Sequence, residues 1–184
     1  MLQANIISRE DKEWYVYSIQ IIFEKIISVS SILFLAIIFG YFFQTVGFLL
    51  VFSGIRRYAG GFHLKHFGSC YLFSVGTYLF FVLAIQRFQT EFTIIQMIII
   101  FIIVLFMLCI GAVNNQEFRW SIKEEIEKSV LTRYSILIIY CVFVGLKLSG
   151  IDDSYLWFMG FGLSLSFCGL ILQKINIFKN KTRV

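Results

Sequence analysis

From Phe92 to Gln116 the chain carries no charged residue, and Ile98 to Cys109 is apolar without a break. An α-helix needs about 20 apolar residues to cross the hydrocarbon core of a bilayer. The span expected here is 93–113. Comparable stretches lie over 68–86, 132–149 and 154–173. Composition points the same way. The 184 residues are 59% hydrophobic and only 15% charged, whereas a soluble domain is about a quarter charged. A soluble fold this small has too little interior for so many Phe, Ile and Leu side chains. The expected class is all-α: a polytopic membrane protein.

The region from Ile19 to Ile55 is also apolar, interrupted by Glu24-Lys25 and by Gly40 to Thr45. It divides into a span near 22–41 and a short one near 45–57, either tilted or re-entrant. Six transmembrane helices follow. Charge placement tests the count. With both termini in the cytoplasm, the outer loops keep only Arg87 and Lys147 of the 16 Lys and Arg, and the inner segments hold the other 14. Bacterial membrane proteins place Lys and Arg on the cytoplasmic side. Fusing 22–57 into one span would put Arg56-Arg57 outside.

Residues 1–18 space Leu2, Ile6, Ile7, Trp14 and Tyr17 at near-helical intervals among charges, as in a helix lying on the inner membrane surface. They lack the basic head and apolar run of a removable signal. The 114–131 loop holds Glu124 and Lys128 in a favourable order for a solvated connecting helix. There is no internal repeat, and 1–184 reads as a single membrane domain. With no proline in the sequence, kinks fall to glycine or to local changes of helix geometry.

The chemistry-bearing residues gather in 56–70, a cytoplasmic loop and the start of the next helix. Arg56, Arg57, Tyr58, Ala59, Gly60, Gly61, Phe62, His63, Leu64, Lys65, His66, Phe67, Gly68, Ser69 and Cys70 include both histidines of the chain. The thiolate is the nucleophilic form of cysteine. An imidazole can take the thiol proton, and fixed positive charge stabilises the anion. With Gly68 at the loop–helix junction, Cys70 falls in a first turn, where unpaired amides could hold an oxyanion. Cys109, Cys141 and Cys168 lie in apolar stretches and read as core packing. On one unbroken helix His63 and Cys70 would sit about 10 Å apart along the axis, too far for proton transfer, so His63 requires a bend. His66 is four residues from Cys70, and periodicity alone slightly favours it. The blander alternatives are an inert helix-start cysteine and an Arg pair that only obeys the inside-positive rule. Two His and one Cys are few ligands for zinc, and no phosphate-binding glycine loop occurs. Neither a metal nor another cofactor is expected, and no nucleic-acid partner.

The order Arg56-Arg57-x-Ala59-x-Gly61-x-His63, then six residues and Cys70, resembles the signature of the accessory gene regulator B (AgrB) family. These are membrane cysteine endopeptidases that process quorum-sensing propeptides in Gram-positive bacteria. Length, span number and the placing of the basic loop agree along nearly the whole chain. The resemblance implies that His63 and Cys70 are the catalytic pair, with His66 a bystander or substrate contact. It implies an AgrD-like propeptide with an acidic tail as substrate, a Cys70 acyl-enzyme, and cyclisation to a thiolactone or lactone. Arg56, Arg57, Gly60, Gly61 and Lys65 become support or substrate-binding residues. A homodimer in the plasma membrane is implied as well. Asn114, Gln116, Glu117 and Glu124 are candidates for a third catalytic member. Family members often carry prolines after the fourth span; this chain has Gly111 to Asn115 instead. Competing classes are a small non-catalytic transporter or exporter and an assembly partner for a secreted peptide. A transporter would call for ionisable groups deep in the spans, and beyond Glu24-Lys25 there are almost none.

Overall fold

The computed structural model describes residues 9–60, 67–88, 91–114 and 120–181. Among them the chain is helical and forms no strand. The elements are α1 (Arg9–Phe39), α2 (Phe42–Ala59), α3 (Phe67–Phe88), α4 (Ile94–Ile110), α5 (Ile122–Leu148) and α6 (Asp153–Lys181). Four of these are long and apolar enough to cross a membrane: α1, α3, α5 and α6. Their large side chains are widely exposed, among them Phe34, Phe80, Ile138 and Leu172. In water that surface would be a liability; in a bilayer hydrocarbon covers it.

Three boundaries differ from those read in the sequence. The short second span is one unbroken helix of 18 residues, about 27 Å long at 1.5 Å per residue. The expected connecting helix near 123–128 is not separate. It is the opening of α5, which runs 27 residues without a break. Ser121 and Glu124 start it with a capping box, in which each side chain accepts the other's backbone N–H. Nothing between them and Leu148 breaks a helix. Of the expected surface helix over 1–18, residues 1–8 lie outside the described residues, and 9–18 continue directly into α1.

The helices form two compact units, α1 with α3 and α2 with α4, α5 and α6. In the first, the Ser31 hydroxyl and the Tyr71 hydroxyl share a hydrogen bond of 3.0 Å. In the second, α2 and α6 run parallel: Tyr41 meets Phe158, Phe48 stacks on Phe161, and Val51 lies against Gly162. Helix α4 runs the same way, with Phe92 on Trp157 and Phe106 near Phe167. Helix α5 runs opposite, since Phe92 also meets Phe143 while Arg133 donates to the Leu108 carbonyl.

The close approach of α2 and α6 rests on small residues. A Cβ at Gly162 would lie 3.1 Å from both the Phe48 carbonyl oxygen and Val51. Lipid offers apolar surface as good as Leu, so helices in membranes gain by backbone proximity and contact density. Buried along the seam are Phe48, Val51, Ile55 and Ala59 from α2, and Leu163, Ser166 and Leu170 from α6. At the end where α4 and α6 begin, Asp153 bridges Lys147 at 2.9 Å and accepts the Phe92 N–H, while Lys147 also donates to the Phe92 carbonyl.

Gly162→Val should prise this seam apart. The expected outcome is a loss of about 1–3 kcal/mol in unfolding free energy, as for other overpacked contacts, read from thermal unfolding in detergent micelles. An unchanged transition would mean the α2–α6 contact does not hold the unit together.

Candidate active site

Cys70 is the fourth residue of α3 and lies in its first turn, as the Gly68 junction predicts. The side chain is half-buried, with Gly68 and Ser69 exposed before it. The next residue, Tyr71, ties this turn to α1 through Ser31. The first amides of a helix have no partner within it and point toward the N-terminal side, so the backbone beside the thiol is a source of donors. All four cysteines are free thiols. Cys109, Cys141 and Cys168 are not core residues as expected: they face outward from α4, α5 and α6. A small apolar thiol costs little on a surface that meets hydrocarbon, so apolar surroundings in the sequence do not distinguish a core from a lipid-facing position.

The Arg pair closes α2. Both side chains lie in its last turn, where cations complement the negative end of the helix dipole. Arg56 is half-buried; its guanidinium carbon lies 5.5 Å from the Phe52 ring centroid. Arg57 is exposed, near the ring of Tyr58.

Gly60 ends the helix with φ 72° and ψ −155°. That region is open essentially to glycine alone. Space demands glycine too. A Cβ here would fall 2.6 Å from the Val113 carbonyl oxygen and 3.2 Å from the Trp120 ring. The close approach exists because the connection after α4 crosses the end of α2, where the Val113 N–H donates to the Ala59 carbonyl at 2.9 Å.

That connection is itself braced from α5. Gly111 stops α4 with φ 67°, and the Ala112 N–H donates to Ser129 Oγ at 3.2 Å. The Asn114 carboxamide accepts the Trp120 N–H and donates to the Trp120 carbonyl and to Glu125. Lys128 Nζ sits 3.9 Å from the Trp120 ring centroid. An open cavity of about 440 Å³ follows the same stretch of α5, lined by Ile122, Glu125, Ile126, Ser129, Val130 and Arg133.

Of the candidate third members, Asn114 is thus engaged in holding the loop and Glu124 in capping α5. Gln116 and Glu117 lie outside the described residues, as do Gly61, His63, Lys65 and His66. The sequence reading missed Trp120 and Val113 as partners of Gly60. Their contacts join positions more than 50 residues apart, which no local pattern encodes. The Ser121-x-x-Glu124 cap was visible, and it marks where the loop must end.

A family model described as accessory gene regulator B matches residues 1–177. No curated protein and no solved structure matches.

Gly60→Ala should spoil the crossing at the end of α2. The strain of a side chain in this backbone region, about 1–3 kcal/mol, should speed amide exchange at Val113 on the order of 10-fold while helical circular dichroism stays unchanged. Undisturbed exchange at 112–114 would show that the Gly60 contact is not holding the loop.

Proposed function

The chain belongs to the accessory gene regulator B family and so serves in processing a quorum-sensing peptide, and on that footing we propose that it is a membrane cysteine endopeptidase with Cys70 as nucleophile and His63 as base. The observation that carries the reading is the setting of Cys70. It alone of the four thiols occupies the first turn of a helix, where the opening amides have no partner within the helix. The His63-x6-Cys70 order after the Arg pair supplies the rest.

The reaction proceeds in two acyl transfers. His63 takes the Cys70 proton, and the sulfur attacks the carbonyl carbon of a peptide bond ahead of the substrate's acidic tail. The amides opening α3 hold the oxyanion of the tetrahedral intermediate. Collapse breaks the C–N bond, the imidazolium returns its proton to the leaving amine, and the tail departs. A thioester on Cys70 remains. A thiol or hydroxyl within the substrate then attacks that thioester, closing a thiolactone or lactone ring and regenerating the Cys70 thiol. Transfer to an internal nucleophile and not to water requires the acyl-enzyme to be shielded.

The acidic tail is drawn to the basic end of the protein, with Arg57 and Lys65 as the contacts and Gly60 and Gly61 as support. That end faces the cytoplasm, both termini lie there, and the protein works as a homodimer in the plasma membrane. Support for the orientation comes from the 14 of 16 Lys and Arg assigned to inner segments.

Purified protein in liposomes, given its propeptide, tests the reading. Cys70→Ala and His63→Ala should each lower cleavage by about 10³-fold or more, within the range for loss of a nucleophile or base. His66→Ala should keep most of the rate. Full cleavage by Cys70→Ala would sink the proposal, and loss on His66→Ala with retention in His63→Ala would exchange the base.

A further inference from the structure

The two adjacent arginines at the end of α2 are held differently, and we propose that they divide the work: Arg56 is a positioning residue locked into a notch on α6 at Gly169, and only Arg57 is presented to an anionic substrate. The inference rests on the endopeptidase reading and assigns a role within it.

Neighbouring residues on an α-helix point about 100° apart. Ile55 and Ala59, both fully buried, mark the face of α2 turned to its own unit. Arg56 lies beside that face and is half-buried; Arg57, one step further round, is exposed. The guanidinium of Arg56 lies against the backbone of α6. A Cβ at Gly169 would fall 2.7 Å from Nη1 and 3.9 Å from Cζ. A larger residue at 169 would oblige the guanidinium, the far end of a flexible side chain, to shift.

Phe52, one turn earlier on α2, lies 5.5 Å from the same group, so an aromatic ring from α2 and a bare turn of α6 flank it. A planar, weakly hydrated cation suits such a slot far better than an ammonium. The notch continues the seam made by Gly162, seven residues earlier on α6, where α2 backbone also packs closely. Arg56 therefore fixes the rotation of the last turn of α2 against α6. Four residues later Gly60 begins the segment that leads to His63, and Arg56 sets where that segment starts. Small misplacements of a reacting group cost rate steeply. Among the described residues Arg57 is exposed and lies near the Tyr58 ring, open to an incoming carboxylate.

The test is a double-substitution cycle on the full-length protein in liposomes, following cleavage of the acidic-tailed propeptide. Arg56→Ala should lower kcat by on the order of 10-fold or more with KM nearly unchanged. Arg57→Ala should raise KM, the more so at low salt, with kcat nearly unchanged. Gly169→Ala should mimic Arg56→Ala in the parent and add nothing to it, because the added methyl then enters an empty notch. Arg56→Lys should be intermediate. Should Arg56→Ala not fold, Arg56→Met gives the same cycle with the chain length kept. Additive effects of the two substitutions, or a KM effect for Arg56→Ala, would overturn the assignment. Those results with Cys70→Ala inactive would leave the endopeptidase reading standing; cleavage surviving in Cys70→Ala would remove both.

Discussion

The last carbonyls of a helix have no donors within it and must find them elsewhere. At the end of α2 one such donor is the N–H of Val113, 2.9 Å from the Ala59 carbonyl oxygen. That bond draws the connection after α4 across the helix end, and the crossing leaves no room for a Cβ at the next residue. Gly60 is therefore fixed twice, by its backbone angles and by the Val113 carbonyl. Everything around it serves the same crossing. Ser129 takes the Ala112 N–H, the Asn114 amide ties the loop to Trp120, and Lys128 lies over the Trp120 ring. The segment carrying His63 thus departs from a point held by three helices and not from a free helix end.

The sequence made the helical membrane class plain, because uncharged runs such as Phe92 to Gln116 leave little choice. It also located Cys70 in a first turn, since Gly68 marks the junction. It failed where the deciding partner is distant. Nothing near Gly169 foretells that an arginine more than 100 residues earlier lies against it. The separate helix expected near 123–128 failed for a different reason. Charge suggested a loop, but Glu, Lys and Ile are all helix-tolerant, and the cap at Ser121 sets a start with no stop before Leu148. Cysteines 109, 141 and 168 misled because hydropathy treats the inside of a protein and the inside of a bilayer alike.

The sequence holds no proline, so the connection after α4 keeps its shape by other means. Proline would set backbone angles covalently but lacks an N–H. Here the N–H groups of Ala112 and Val113 are both used, one toward α5 and one toward α2. A proline at either position would delete a bond that joins elements. The glycine at 111 supplies the turn, and hydrogen bonds supply the rigidity. In the absence of proline the loop is specified by what it touches.

The two ends of the four-helix unit differ in charge as a consequence of how they are closed. At one end Lys147 is neutralised by Asp153 and both are bonded to Phe92 backbone, with Asp152 adding negative charge nearby. The Asp152 carboxyl is held below its usual range because the Ser154 side chain and backbone N–H hydrogen-bond to it. The other end gathers Arg56, Arg57, Lys123, Lys128, Arg133 and Lys174 against Glu124, Glu125 and Glu127. Of those acids, Glu124 caps α5 and Glu125 accepts from Asn114, so their oxygens are turned toward the chain's own donors. Six cations thus stand against three carboxylates at this end. A field of this sign attracts an anionic chain over several ångströms and fades with added salt. Closing one end with an ion pair and gathering cations at the other therefore leaves this unit electrostatically directional, with its positive field concentrated where α2 ends.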